Sequence, residues 1–166
     1  MKENIRQALK TLASGETLIY PTDTIWGFGC DATNVEAVEK IYKIKSRPDS
    51  KSLIILVDGM EMLQKYIDTI PERIEKFLDN ANRPTTVIYS DPKGLAKNVV
   101  ASDNTVAIRI VQNDFCRDLI EKFGKAIVST SANFSGVASP DGFDEIDPLL
   151  LKKADYIVNL PAAQTK

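Results

Sequence analysis

Thr17-Leu18-Ile19-Tyr20-Pro21-Thr22-Asp23-Thr24-Ile25-Trp26-Gly27-Phe28-Gly29-Cys30-Asp31-Ala32 is the most telling stretch of the chain. Thr17 to Tyr20 reads as a strand, and Pro21, which cannot donate to a ladder, ends it. Hydroxyls, one acid and two glycines follow the strand end. Such a loop can hold a polar ligand against backbone, or it can be a turn capped by Thr and Asp side chains. Spacing leaves both readings open.

Working outward, Ile5, Ala8, Leu9 and Leu12 share one face of a helix over residues 3–13, with Gly15 as its stop. Downstream, Thr33-Asn34-Val35-Glu36 is a capping-box pattern opening a helix with Val35, Val38, Ile41 and Tyr42 inward. That helix must stop before Pro48. Ser52 to Val57 is a nearly continuous apolar run, expected of a strand covered on both faces. Asp58 and Glu61 suggest another cap, and Pro71 opens a helix predicted to turn Ile74, Phe77 and Leu78 inward. Strands are expected at Thr85–Tyr89, Thr105–Ile110, Ala126–Ser129 and Tyr156–Val158. Between them lie a helix capped by Asn113 or Asp114 and ending before Gly124, and a weaker one over Asp144–Lys153 with Pro148 near its start. The pattern predicts one mixed α/β domain over residues 1–166, with strand order open.

Composition sets the outer limits. A chain of 166 residues is one compact unit at roughly 150 residues per domain. Hydrophobic residues make up 43% and charged residues 27%, near globular averages, so disorder, collagen and coiled coil are poor readings. No apolar run approaches the roughly 18 residues of a membrane span, and Met1 to Ile5 does not read as a secretory leader. Two cysteines make neither a disulfide scaffold nor a zinc site, which fits the cytoplasm. The net charge of -2 argues against a basic nucleic-acid coat. With no histidine anywhere, imidazole dyads, histidine metal sites and imidazole proton shuttles are impossible.

Two further stretches could carry chemistry. Lys43, Lys45, Arg47 and Lys51 cluster at a helix end and in the loop after it. Cations there complement the helix dipole, or they bind phosphate, as a guanidinium fork and ammonium can. No Walker pattern occurs. Ser129-Thr130-Ser131-Ala132-Asn133-Phe134-Ser135-Gly136, followed by Ser139, puts hydroxyl and amide donors at the end of a buried strand. These can hold ribose, phosphate or carboxylate, or form ordinary serine turns. Arg109, on the face opposite Ile108 and Ile110, is either exposed or reaching an anion.

Taken together, these stretches resemble the YrdC-like family of L-threonylcarbamoyladenylate synthases. The resemblance rests on Tyr20 to Ala32, the K-x-R of Lys45-Ser46-Arg47, and the S-x-N of Ser131-Ala132-Asn133. Weaker matches are Pro84-Thr85-Thr86-Val87 and Thr105 to Arg109, and the set runs in family order over roughly residues 5–160. It implies a twisted mixed β-sheet with surrounding helices and an open concave face. It implies that L-threonine, bicarbonate or CO2, and ATP carrying Mg2+ give threonylcarbamoyl-AMP and pyrophosphate. A separate tRNA-modifying transferase would consume the product. By position, Thr24, Arg109 and Ser129 would contact threonine. Lys45, Arg47, Lys51, Thr105, Ser131 and Ser139 would contact ATP, with Lys45 and Arg47 the charge stabilisers and Asn133 bracing the site. No protein metal site is implied.

Trp26 stands where the family usually has tyrosine, and Val111 where it usually has proline. Family members commonly continue into a P-S-[ST]-[IV] segment and another arginine-bearing strand, whereas this sequence stops at Lys166. The expectation is a truncated chain or one lacking those last contacts. Two alternatives stand beside the synthase. One is a noncatalytic double-stranded RNA-binding or ribosome-maturation module using Lys43, Lys45, Arg47 and Lys51. The other is a carbamoyl-transfer enzyme akin to hydrogenase maturation factors.

Overall fold

The computed structural model describes residues 2–45, 53–134 and 137–158. Seven strands form one mixed sheet. They are β1 (Leu18–Pro21), β2 (Trp26–Gly29), β3 (Ile54–Val57), β4 (Thr86–Ser90), β5 (Thr105–Ile110), β6 (Ile127–Ser131) and β7 (Tyr156–Ile157). Their order across the sheet is β4-β5-β3-β6-β2-β1-β7. The β3–β5 and β1–β7 pairs are parallel and the remaining neighbours antiparallel. Six α-helices surround it among the described residues: α1 (Lys2–Ala13), α2 (Val35–Lys45), α3 (Met60–Tyr66), α4 (Glu72–Asp79), α5 (Asp114–Phe123) and α6 (Pro148–Lys153).

Most expected elements form where the apolar pattern puts them. Ile5, Ala8 and Leu12 of α1 are buried, as are Phe115, Leu119 and Ile120 of α5. Asn113 caps α5 through the Cys116 amide, and Gly124 closes it with a left-handed φ of 77°. Asp147 caps α6, with Pro148 in its first turn. The stretch before it is a separate 3-10 turn over Phe143–Glu145, which splits the helix expected over Asp144–Lys153.

Four expectations are corrected. Residues 22–25 form a turn, but Trp26–Gly29, read as part of the same loop, form a second strand, β2, and all four of its residues are buried. Glycine is a poor strand former, but here it lets another side chain occupy the space above it. Asn34, not Thr33, caps α2 by accepting from the Ala37 amide at 3.1 Å; Thr33 instead donates its amide and hydroxyl to Asp31 Oδ1. Gly59 precedes α3 with no side-chain cap, so Asp58 does not serve. Finally, α4 has no fully buried residue: Phe77 is 59% exposed, whereas Leu78 is half-buried and Ile74 packs half-buried against the core.

Pairing register sorts the sheet into two faces. Arg109 pairs with Leu56 and Thr86, Ser129 with Ile54, and Ser131 with Gly27. Cross-strand partners share a face and i, i+2 residues share it too. One face therefore carries Arg109, Ser129, Ser131, Gly27 and Tyr20. Val106, Ile108, Val128 and Phe28 sit on the other and are buried. The expected opposition of Arg109 to Ile108 and Ile110 holds.

Candidate functional site

Helix α2 ends at Lys45, and its side chain runs into the interior with only 2% exposure. The ammonium donates to Thr130 Oγ1 and the Ser131 carbonyl, each at 2.8 Å, and approaches Asn133 Oδ1 at 3.5 Å. A buried ammonium is costly unless its donors are satisfied, and the end of β6 does this. Asn133 in turn accepts from Ser131 Oγ and donates to the Val137 carbonyl. Lys45 of the K-x-R stretch thus meets the S-x-N stretch. Thr130 is a partner the sequence reading missed; strand alternation alone hid it, because its side chain leaves β6 on the face opposite Ser129 and Ser131.

A second polar group assembles around Arg109, which is 6% exposed. Its Nε is buried with no hydrogen-bond partner, and no ion pair to it occurs among the described residues. Beside it stands Tyr20, whose hydroxyl donates to the Val128 carbonyl at 2.8 Å. Burial pushes that phenol well above its ordinary value, while Ser129 and Arg109 pull the other way. A carbon built on Gly27 would stand 3.2 Å from Ser129 Oγ, so glycine keeps the space before Ser129 open. Ser129 is buried here and Ser131, two residues on, is half-buried. The pair links the Arg109 side of β6 to the Lys45 end.

Thr24 sits in the turn between β1 and β2. Thr22 organises that turn: its hydroxyl donates to the Ile25 carbonyl at 2.6 Å and accepts from the Thr24 and Ile25 amides. Both oxygens of Asp23 accept from the Gln112 amide, at 3.1 and 3.0 Å. Thr22 and Asp23 were visible as turn formers, whereas nothing in the sequence singled out Gln112.

The other expected residues are not gathered so closely. Thr105 begins β5, four residues from Arg109, and is bonded to Asp103 at 2.6 Å. Ser139 is exposed. Arg47 and Lys51 lie outside the described residues. Clefts of about 450, 270 and 540 Å³ along α4 and β4 contain none of the expected site residues. No three His, Cys, Asp or Glu side chains converge on a possible metal position among the described residues.

A buried ammonium at a hydroxyl-bearing strand end, and a buried guanidinium whose Nε has no partner among the described residues, are groups suited to an anionic ligand. The chain resembles known proteins over most of its length. Residues 10–165 match a family model, Sua5, YciO and YrdC, described as "Telomere recombination". The threonylcarbamoyl-AMP synthase of Pseudoalteromonas translucida is 33% identical over 163 residues, covering 96% of this chain and 87% of the relative. That of Histophilus somni is 35% identical over 148 residues, covering 86% and 80%. P. abyssi Sua5 in complex with L-threonine superposes with a TM-score of 0.87 at 28% identity over 93% of this chain. The chain spans about half the length of that protein, covering 46% of it. E. coli YciO shares the fold, with a TM-score of 0.84 at 23% identity, covering 98% of this chain and 80% of that one.

Proposed function

Because the chain belongs to the Sua5/YciO/YrdC family, we infer that it is an enzyme, a threonylcarbamoyl-AMP synthase. The observation that carries this reading is the convergence of Lys45 with Thr130, Ser131 and Asn133, which joins two distant parts of the sequence in one buried polar cluster.

In this reading the threonine amine adds to CO2, or to bicarbonate with loss of water, and yields a carbamate. A carbamate oxygen then attacks the α-phosphorus of ATP, the bond to the β-phosphate oxygen breaks, and pyrophosphate leaves. The step needs alignment and charge compensation more than a strong protein base, which suits a chain without histidine. Mg2+ enters with the triphosphate as part of the substrate.

Arg109 takes the threonine carboxylate, supported by its unsatisfied buried Nε, and Thr24 and Ser129 complete that subsite. Lys45 supplies positive charge at the Ser131–Asn133 segment, and Arg47 and Lys51 take the phosphates. Ser131, Thr105 and Ser139 take the remaining ATP contacts, with Asn133 holding Ser131 in place. The product is a mixed anhydride handed to a tRNA-modifying transferase, which places the enzyme in the cytoplasm. Among the described residues no helix is long and apolar enough to cross a membrane.

Burial removes Lys45 from any surface that could follow an RNA backbone, and exposed Lys43 pairs with Glu39 at 3.4 Å. Neither observation favours the RNA-binding alternative. The test is pyrophosphate release from MgATP with threonine and bicarbonate withheld in turn and serine offered instead. Release requiring both threonine and bicarbonate is expected, and Arg47→Ala should abolish it with the fold intact. Release indifferent to threonine would overturn the reading.

A further inference from the structure

Thr24, in the turn that leads into β2, and Arg109, on β5, belong to parts of the sheet that are not neighbours. In the sheet, β6 and β3 stand between β2 and β5. Three inter-strand steps amount to about 14 Å in a flat sheet. Yet the turn after β1 touches the segment after β5 directly, through Asp23 and the Gln112 amide at 3.1 and 3.0 Å. A second link runs beside it, from Cys116 Sγ to the Pro21 carbonyl at 3.1 Å. The sheet is therefore curled and tied across its end.

Gln112 is held on its other sides as well. Its Nε2 donates to the Arg83 carbonyl at 3.2 Å, and its own carbonyl accepts from the Arg117 guanidinium at 3.3 Å. Its amide is left to Asp23. Thr22 fixes the turn internally but cannot fix where the turn sits relative to β5. The Cys116 thiol holds the turn at Pro21, and Asp23, one residue before Thr24 and bonded three residues past Arg109, is the tie next to Thr24 itself.

We propose that Asp23 is a positioning residue that sets the separation of Thr24 and Arg109, and with it the affinity for threonine. The proposal rests on the synthase reading, since it assigns both residues to the threonine subsite. Loss of the tie lets the turn drift from β5, so threonine binding weakens while the Lys45 and Ser131 end of the site keeps its own bonds.

The test compares wild type, Asp23→Asn and Asp23→Ala by pyrophosphate release at varied threonine and varied ATP, and by calorimetric titration with threonine. Asparagine keeps one neutral acceptor for the Gln112 amide and alanine keeps none. The expected order of KM for threonine is wild type, then Asp23→Asn raised about threefold, then Asp23→Ala raised at least about tenfold, with KM for ATP unchanged. If the alanine variant does not fold, the asparagine variant carries the comparison. A threonine KM unchanged in the variants, or one rising in step with the KM for ATP, overturns the proposal and leaves the synthase reading intact. A wild-type chain that neither binds threonine nor needs it for release overturns both.

Discussion

The ring of Tyr20 covers Gly29: a Cβ on Gly29 would stand 3.0 Å from Tyr20 Cε1 and from its hydroxyl, and 2.0 Å from the Val128 carbonyl oxygen. The buried phenol and the β2–β6 pairing both depend on that missing side chain. Gly29→Ala should cost at least about 3 kcal/mol, because backbone and a fixed aromatic ring leave no room for repacking. Denaturant unfolding measures this, and a loss under about 1 kcal/mol would show the strand can shift.

Removing the ammonium at position 45 takes one donor from Thr130 Oγ1 and one from the Ser131 carbonyl. Lys45→Met should cost about 1–3 kcal/mol of stability, the scale of an unsatisfied buried acceptor. It should also lower threonine-dependent pyrophosphate release by the equivalent of about 2–4 kcal/mol. Assays at a temperature where the variant is folded separate the two effects. Full turnover in the folded variant would remove Lys45 from the chemistry.

Arg109 offers the opposite trade. Its guanidinium is buried without a partner for Nε among the described residues, a cost to the unliganded fold. Arg109→Met should stabilise the free protein by about 1–3 kcal/mol and weaken threonine binding at least about thirtyfold. Threonine should then raise the unfolding midpoint of wild type but not of the variant. An equal ligand-induced rise in both would contradict the carboxylate role.

The Asp58 carboxyl is pushed up from its ordinary value, by burial first and then by Glu121. A carboxyl raised on folding contributes stability below its unfolded pKa and loses it as pH climbs through the folded one. Asp58→Asn should therefore stabilise the protein at pH 7, by less than about 1 kcal/mol for so partly exposed a group. The gain should vanish near pH 3, where both states are protonated. Unfolding midpoints of the two proteins at those pH values provide the check.

Local patterns carried much of the fold. Helical spacing in α1 and α5, the Asn113 and Gly124 ends, and alternation around Arg109 are short-range facts that the chain states directly. The same holds for the absence of histidine and for the Lys45, Arg47, Ser131 and Asn133 motifs, which narrowed the chemistry to charge compensation. Helix α4 was misread because periodicity shows which residues share a face and not what covers it. Strand β2 was misread because two glycines weaken the local signal for a strand that only Tyr20 packing justifies.

Sequence by itself thus determined most of the elements, the inward faces of α1 and α5 and the inventory of groups available for catalysis, since these depend on residues within a few positions of one another. Only the tertiary structure decided the strand order, the burial of Lys45 against Thr130, and the Asp23–Gln112 tie. Those contacts join residues separated by dozens of positions, and they form because the sheet curls to bury its apolar face and brings the two ends of the site together.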